Sequence, residues 1–242
     1  MYRRLRSIPL LAIGTITHVS TLKPVAALTF DDGPNPIFTP RLLDILQKHH
    51  AKATFFMVGQ AAERYPDLVR KVSEAGHAIG NHSWDHPSFP LITGPERRAQ
   101  IRACAKAIAP YAQNILRPPY GDQNLWSRLD ALWLGYQVIT WNGTAGDWLD
   151  HDADWIRNKV MSRIQNGSII VLHDSIFRPR EDRYADREPM LHAVDMLLLE
   201  LSGRFSFITI PELLQQGRPQ RQYWRKQTDV DFRIKERHEH DR

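Results

Sequence analysis

Two stretches of the sequence carry side chains whose types and spacing are suited to holding a metal ion and moving protons. Asp31 and Asp32 stand together in T-F-D-D-G-P, directly after the apolar run at residues 25–30. If a strand ends here, the two carboxylates leave it in different directions, so one can bind a cation while the other acts as a base. Gly33 and Pro34 favour such an end. A polar turn between a strand and a helix is the alternative interpretation.

The second stretch is H-S-W-D-H, which contains His82 and His86. Two imidazoles four residues apart face the same way if the backbone coils there, and both can then meet one cation. With Asp32 they form a set of two imidazoles and one carboxylate, an arrangement that leaves coordination positions open for water and a substrate oxygen. We therefore predict these three residues as ligands of a divalent ion, with Zn²⁺ as the first choice and Co²⁺, Mn²⁺ or Ni²⁺ as alternatives.

Three further polar clusters follow later apolar runs, and they are R-P-P-Y-G, D-W and L-H-D. Active sites of α/β barrels assemble at the carboxyl ends of the strands. His173 is predicted to protonate a leaving group, because Asp147 would favour its charged form. Arg117 is predicted to orient Asp31 and lower its basicity through a forked contact. A base, a metal-bound water and an acid together indicate metal-assisted hydrolysis.

A scaffold of alternating strands and helices must position these side chains. Strand-like and helix-like segments alternate about seven times, and the predicted strands cover residues 25–30, 53–58, 77–81, 114–117, 136–141, 168–172 and 205–210. Repeated β-then-α units imply parallel strands with right-handed crossovers, in either an open doubly wound sheet or a (β/α) barrel. Seven units favour a single-domain barrel.

Two other segments of the barrel region lead to expectations about burial. The helix after the fourth strand carries Leu125, Leu129, Leu132 and Trp133 on one side, and this spacing predicts that they lie in the core. Residues 178–188 are dense in charges of both signs and are predicted to form a surface loop. A solvated connection is favoured for that loop over a border of a binding cleft.

Composition restricts the classes of function. The chain has 242 residues, 42% of them hydrophobic, which is enough for a full core. The formal charge of +5 invites a nucleic-acid interpretation, but the basic residues are dispersed among acidic ones, so no nucleic-acid partner is expected. The single cysteine, Cys104, excludes an internal disulfide and favours core packing and a reducing compartment. A cytoplasmic location is therefore favoured, with export or membrane association as alternatives.

The two ends of the chain differ from its middle. Residues 1–24 are predicted to form an N-terminal β-hairpin arm rather than a targeting segment, because the apolar run at residues 8–13 is too short to span a bilayer. Stable membrane insertion is not expected. The catalytic domain is predicted at residues 25–216, and residues 217–242 are polar and charged without periodicity, which predicts a loosely ordered tail.

At its five motifs the sequence resembles the polysaccharide deacetylases of carbohydrate esterase family 4, which carry the NodB homology domain. The resemblance covers about residues 25–214, and the motifs occur in the family's order. It implies a distorted (β/α) barrel and metal-dependent removal of acetyl groups from N-acetylglucosamine-type sugars of an oligo- or polysaccharide. Residues 35–40 are similar to those of rhizobial chitooligosaccharide deacetylases, but this loop and helix start do not assign a substrate.

The resemblance also implies a role for individual residues. By this resemblance the metal ligands are Asp32, His82 and His86, the general base is Asp31 and the general acid is His173. Arg117 supports the base and Asp147 supports the acid. The oxyanion donor is the backbone N–H of Tyr120, and the walls of the acetyl pocket are Trp148 and Val171. In the expected reaction a metal-bound water attacks the acetyl group while Asp31 takes its proton, and His173 protonates the departing amine.

Three other functions are compatible with parts of this pattern. The same site would serve an O-acetyl esterase or another amide hydrolase. A sugar-binding protein without turnover is a second alternative, and nucleic-acid binding from the positive charge is the least favoured. The sequence does not predict an oligomeric state.

Overall fold

The computed structural model describes residues 14–223 of the chain. Ten strands lie in this range, and in chain order they are β1 (Thr15–Ser20), β2 (Val25–Asp31), β3 (Ala53–Met57), β4 (Ala78–Asn81), β5 (Ala112–Leu116), β6 (Gln137–Val138), β7 (Gly143–Thr144), β8 (Ile169–His173), β9 (Ser206–Phe207) and β10 (Arg218–Gln222). Strands β2, β3, β4 and β8 are buried along almost their whole length, as expected for parallel strands covered on both faces.

Helices follow most of the strands and cover the outside of the sheet. They are α1 (Phe38–Lys48), α2 (Gly59–Arg64), α3 (Pro66–Glu74), α4 (Gly94–Ala107), α5 (Leu125–Trp133), α6 (Ala153–Met161), α7 (Glu188–Glu200) and α8 (Ile210–Leu213). Capping boxes begin three of them, at Thr93 for α4, Asn124 for α5 and Thr209 for α8. Cys104 of α4 is fully buried, so the prediction that it packs in the core is confirmed.

The central sheet is a curled, distorted (β/α) barrel. Its seven parallel strands are hydrogen-bonded in the order β6, β5, β4, β3, β2, β8, β7. β1 lies across the open side, where isolated bridges join Ile16 to Ile139 and His18 to Ser168. The predicted fold class is therefore confirmed, and all the polar motifs at the carboxyl ends of these strands face one rim.

One of the seven strands is not the one predicted from the sequence. The expected strand at residues 205–210 is β9, which has only two residues and pairs with the first residues of β2 beside the main path. The seventh strand of the path is β7, which pairs with β8. Two residues are too few to produce an alternating hydrophobic pattern, and therefore β7 gave no signal.

The prediction of an N-terminal hairpin arm and a loose C-terminal tail is wrong where the structure describes them. β1 pairs antiparallel with β10 from the other end of the chain, and Ile16 and Val19 of β1 are fully buried in a core cluster. β1 and β10 therefore form a separate two-stranded sheet, and β1 packs against the core of the barrel. The polar sequence of β10 concealed its strand, because that strand is held by backbone hydrogen bonds rather than by an apolar face. The rest of both predicted segments lies outside the described residues.

The prediction that α5 buries its leucines and Trp133 is also wrong. Leu125, Leu129, Leu132 and Trp133 are all exposed, by 37 to 69%. The helix instead turns small and polar side chains towards the barrel, and these are Ser127, Arg128 and Ala131. Apolar spacing identifies one face of a helix, but it does not say whether the barrel or the surroundings cover that face.

A helix that spans a membrane must be both long and apolar. None of those between residues 14 and 223 combines the length and the apolar character that a transmembrane span requires.

Candidate active site

A cavity of about 370 Å³ opens at the carboxyl ends of the parallel strands. All the side chains predicted for metal binding, proton transfer and substrate contact line it except Arg117 and Asp147, which lie just behind its wall. The lining residues are Asp31, Asp32, His82, His86, Tyr120, Gly121, Trp141, Trp148, Leu149, Val171, His173, Ile176, Phe177, Arg178, Pro179, Arg180 and Tyr184. Five separate segments of the chain thus contribute to one cavity.

Asp31 is the last residue of β2 and is bound by a buried arginine. Arg117 Nη1 donates to Asp31 Oδ1 at 2.7 Å and also to Thr29 Oγ1 at 2.7 Å. The predicted contact is therefore present, but it is not forked, because Arg117 Nη2 donates to the carbonyl oxygen of Thr140 instead. The second carboxylate oxygen of Asp31 faces the metal-binding side, 3.9 Å from His82 Nε2.

Arg117 itself is completely buried between two aromatic rings. Its guanidinium carbon lies 4.1 Å from the ring centre of Phe56 and 5.5 Å from that of Trp141. Burial lowers the pKa of Arg117, and the neighbouring Asp31 opposes this shift. An arginine stays protonated under these conditions, so the pair is a true buried ion pair.

Asp32, His82 and His86 converge on one point of the cavity. Asp32 Oδ1 lies 3.1 Å from His86 Nε2 and 3.4 Å from His82 Nε2, and the three ligand atoms are within 4.8 Å of one another. All three residues are buried. The structure therefore brings together the three residues that the sequence predicted as a metal-binding set.

The donor atoms of this set suit a divalent cation. His82 Nδ1 lies 2.7 Å from the carbonyl oxygen of Arg117, and donation there leaves Nε2 with a free lone pair. Asp32 Oδ2 accepts a hydrogen bond from the Phe177 amide, whereas Oδ1 is buried without a hydrogen-bond partner. Burial alone would raise the pKa of Asp32, but His86 and His82 hold it well below its usual value. A charged carboxylate and two imidazoles are typical ligands of Zn²⁺ and similar ions.

Strained backbone conformations in loops, rather than a turn of helix, direct the candidate ligands towards the cation position. Residues 82–88 form an irregular loop, so the helical geometry considered for the two histidines is absent. Ser83 and His86 have positive φ angles of 68° and 67°, and the amide of His86 donates to Ser83 Oγ. Asp32 has φ 74°. Such conformations are costly for side chains other than glycine and cluster at functional sites.

His173 lies beside Asp31 because the two residues are direct neighbours in the register of β2 and β8. Its Nδ1 atom is 3.1 Å from Asp147 Oδ1, and its backbone amide donates to Asp147 Oδ2 at 2.7 Å. Burial lowers the pKa of His173, but Asp147, and more weakly Asp32 and Asp31, raise it to about 9. A pKa of about 9 corresponds to a charged imidazole at neutral pH.

The residues expected to contact the substrate line the cavity around this centre. The ring of Tyr120 meets that of His86 edge-on at 4.4 Å, and Tyr120 has φ 59°. Trp148 stands over His173, with ring centres 5.5 Å apart, and is 39% exposed. Val171 precedes His173 by two residues on β8 and therefore points to the same side.

A match to a known protein family agrees with this arrangement. The family model for polysaccharide deacetylases matches residues 18–139, which is half of the chain and includes three of the five motifs. The chain belongs to the polysaccharide deacetylase family.

Individual members of this family align over most of the chain. A peptidoglycan-N-acetylglucosamine deacetylase of Bacillus cereus is 33% identical over 204 residues, which make up 81% of this chain and 70% of that protein. A chitooligosaccharide deacetylase of Sinorhizobium fredii is 35% identical, over 66% of this chain and 76% of its own. The crystal structure of the Bc1960 peptidoglycan N-acetylglucosamine deacetylase superposes with a TM-score of 0.76 at 32% identity, and the match covers 84% of this chain and 94% of that one.

Two side chains that position the candidate acid and base were not predicted from the sequence. Arg187 is buried and donates to the backbone oxygen of Asp147 at 2.7 Å, with its Nη1 3.9 Å from the carboxylate. Thr29 Oγ1 accepts a hydrogen bond from Arg117 Nη1 and donates one to the backbone oxygen of Ile170. The signal for Thr29 was its place two residues before Asp31 on the same strand face. Arg187 gave no signal within its charged surroundings.

A third positioning residue stood inside a recognised motif. Asp174 follows His173, is fully buried, and accepts a hydrogen bond from Thr39 Oγ1. Its carboxylate packs against the backbone of Gly33, where any side chain would collide with it. Burial, opposed by the Thr39 contact, raises the pKa of Asp174 to about 7. Asp174 therefore packs behind the turn that carries Asp31 and Asp32.

The loop at residues 178–188 borders the cavity, so the favoured interpretation as a merely solvated connection is wrong. Arg178, Arg180 and Tyr184 line the mouth. Arg178 Nη2 donates to Gln60 Oε1 on the opposite side at 3.2 Å.

The buried Arg117–Asp31 pair leads to a stability prediction for the metal-free protein. Arg117→Met should lower the free energy of unfolding by about 3–5 kcal/mol, because it leaves Asp31 as an uncompensated buried charge. The double variant Arg117→Met/Asp31→Asn should be more stable than Arg117→Met, because it removes both charges. Urea unfolding in the presence of a chelator measures both values. A double variant that is no more stable than the single one would contradict the ion-pair interpretation.

Proposed function

We propose that this chain is a metal-dependent deacetylase that hydrolyses the N-acetyl group of an N-acetylglucosamine-type unit in an oligo- or polysaccharide. One observation carries the proposal. A three-residue metal-binding set, a separately held carboxylate at Asp31 and a charged imidazole at His173 lie side by side in one cavity. Membership of the polysaccharide deacetylase family supports the same chemistry.

The metal ligands in this proposal are Asp32, His82 and His86. A divalent cation bound there supplies Lewis acidity towards the acetyl carbonyl oxygen. The unpartnered Oδ1 atom of Asp32 and the tautomer of His82 support this assignment, because both leave a lone pair aimed at the same point. Zn²⁺ is the first choice, and Co²⁺, Mn²⁺ and Ni²⁺ offer similar chemistry to the same ligands.

Asp31 is the proposed general base. Its Oδ1 atom is occupied by Arg117, which leaves Oδ2 facing the cavity to take a proton from the attacking water. Arg117 fixes the direction of the carboxylate. The two adjacent carboxylates have different partners, because Arg117 binds Asp31 and the Phe177 amide binds Asp32. This difference supports separate roles for them.

His173 is the proposed general acid for the leaving group. When the carbon–nitrogen bond breaks, the charged imidazole donates a proton from Nε2 to the departing amine, because Asp147 holds Nδ1. The backbone N–H of Tyr120 is proposed to stabilise the oxyanion, and one such donor is worth about 3–4 kcal/mol. Acetate and a free amino sugar are the products.

The apolar walls near His173 are proposed to hold the acetyl methyl group. Val171 lies on the cavity side of β8, and Trp148 covers the imidazole from the mouth. An apolar pocket of this kind favours an acetyl group and also excludes water from the donor–acceptor contacts.

The sugar polymer is the open part of the proposal. The named relatives act on peptidoglycan and on chitooligosaccharides. The same catalytic groups would also cleave an O-acetyl ester, because only the leaving atom differs. Acetate release from N-acetylglucosamine oligomers and peptidoglycan, compared with acetylated xylan, distinguishes the amide hydrolase from the esterase.

Three variants test the roles of base and metal ligand in one experiment. Asp31→Asn should keep the bound metal but lose at least about a hundredfold in acetate release from the preferred N-acetylated glycan, because the base is gone. His86→Ala should lose both metal and activity. His192→Ala, an exposed histidine on α7, is the matched control and should keep both. Metal content by mass spectrometry and acetate release are the two readouts.

The same experiment separates the enzyme from a sugar-binding protein without turnover. Removal of the metal with a chelator should abolish acetate release, and Zn²⁺ or Co²⁺ should restore it. An Asp31→Asn variant as active as the parent would overturn the proposed base. A parent protein that binds the glycans but releases no acetate in the presence of any of these ions would overturn the proposed activity.

The raised pKa of His173 leads to a prediction about pH dependence. Activity requires the protonated imidazole, so acetate release should fall as the pH rises through the pKa of His173. Asp147→Asn removes the main favourable charge, and this decline should move to lower pH, towards the ordinary histidine value of about 6.5. Asp150→Asn, which changes an exposed neighbouring carboxylate, should leave the profile unchanged. An unshifted alkaline decline in Asp147→Asn would argue against His173 as the acid.

A further inference from the structure

The surface of α5 has a composition that the catalytic site does not explain. Every exposed residue of this helix is a leucine or a tryptophan, and these residues are Leu125 (48% exposed), Trp126 (68%), Leu129 (37%), Leu132 (47%) and Trp133 (69%). We refer to these five side chains as the α5 apolar face. Among residues 14–223, no other helix has an exposed surface made up only of leucine and tryptophan. Contiguous apolar surface of this kind marks an interaction site.

A row of basic side chains borders this face. Arg98, Arg102 and Lys106 of α4 follow one another at four-residue spacing and therefore lie on one side of that helix. The guanidinium carbons of Arg98 and Arg102 are 5.6 and 5.4 Å from the ring of Trp133. The acidic group of α5, Asp130, is paired with Arg97 and Arg98. Positive charge thus adjoins an apolar, tryptophan-containing face.

Both ends of the described chain lie at the same place. Thr15 Oγ1 donates to Gln123, two residues before α5, and the ring of Tyr223 lies 5.9 Å from the Arg128 guanidinium carbon. The sequence that is joined to Gly14 contains Arg3, Arg4 and Arg6 followed by an apolar run. Basic residues therefore also occur in the sequence that precedes the described residues.

We propose that the α5 apolar face and the basic row of α4 form a docking surface for a lipid bilayer that contains anionic headgroups. Tryptophan and leucine enter the boundary between headgroups and acyl chains, and arginine or lysine beside them binds the headgroup phosphates. The protein would lie on the bilayer without crossing it. The proposal is independent of the chemistry in the cavity.

Two other occupants fit these residues less well. A second copy of the chain, related by a two-fold axis that runs across α5 in the plane of the face, would bring the basic rows of both α4 helices together, and like charges oppose such contact. A glycan needs hydrogen-bond partners for its hydroxyl groups, and Leu125, Leu129 and Leu132 offer none. The aliphatic residues therefore favour lipid.

Vesicle flotation with the full chain tests the proposal. The probes are phosphatidylcholine vesicles that contain about one-third phosphatidylglycerol, and pure phosphatidylcholine vesicles as the neutral comparison. The parent protein should bind the anionic vesicles, and added salt should weaken this binding. Trp126→Ser/Trp133→Ser should reduce the partition coefficient at least about tenfold, because it removes both anchors. Far-UV circular dichroism shows whether each variant is folded.

Matched variants separate the contributions of apolar and charged groups. Leu22→Ser/Leu199→Ser removes two apolar side chains that are 96% and 70% exposed on other segments, and it should bind like the parent. Arg102→Gln/Lys106→Gln should lose about fivefold per charge on anionic vesicles and nothing on neutral ones. Lys71→Gln, an exposed lysine on α3, is the control for charge.

Several outcomes would overturn the proposal. These include a parent protein that does not bind anionic vesicles, and a Trp126→Ser/Trp133→Ser variant that binds them as the parent does. Loss of binding only when Arg3, Arg4 and Arg6 are changed to Gln would assign it to the N-terminal segment instead. Sedimentation that shows the parent as a dimer and the tryptophan variant as a monomer, without vesicle binding, would assign the face to a second copy. Tryptophan-dependent binding to insoluble peptidoglycan, without vesicle binding, would assign it to a glycan.

Discussion

The ion pair between Arg117 and Asp31 is the interaction on which the arrangement of the site depends. Burying two ions costs several kcal/mol each, and only close, hydrogen-bonded contact offsets this cost. Arg117 meets the condition by donating to Asp31, to Thr29 and to the backbone oxygen of Thr140, while its flat faces pack on aromatic rings. Its backbone carbonyl oxygen also accepts a hydrogen bond from His82 Nδ1. One residue thus fixes both the candidate base and one metal ligand.

The strand register supplies the rest of the geometry. Asp31 and His173 are paired in the register of β2 and β8, so the backbone alone places the candidate base and acid side by side. Each is then held from behind by an oppositely charged partner, Arg117 for one and Asp147 for the other. The metal-binding set adds the third group at the same rim. The candidate base, acid and metal ligands are therefore positioned by rigid strands and by short, strained turns that follow them.

The sequence was sufficient to predict that these polar residues lie together, because they follow strands of one parallel sheet, and the carboxyl ends of such strands must share an edge. The pairing of β1 with β10 could not be predicted from the sequence, because it joins opposite ends of the described chain through backbone hydrogen bonds, which leave no hydrophobic pattern. Arg187 was missed for a related reason, as only the folded chain brings it to Asp147. For α5 the apolar spacing was recognised, but the apolar side was predicted to face the core and instead faces outwards. The face that meets the barrel carries Ser127, Arg128 and Ala131, which no hydrophobic pattern marks.

The most direct measurement of the central claim is the position of the metal ion relative to the two adjacent carboxylates. Anomalous diffraction from crystals grown with Zn²⁺ or Co²⁺ should locate one ion about 2.0–2.2 Å from Asp32 Oδ1 and from Nε2 of His82 and His86. Asp31 should remain outside this coordination sphere and in contact with Arg117. An ion held by Asp31 instead of Asp32, or one located away from both imidazoles, would contradict the account.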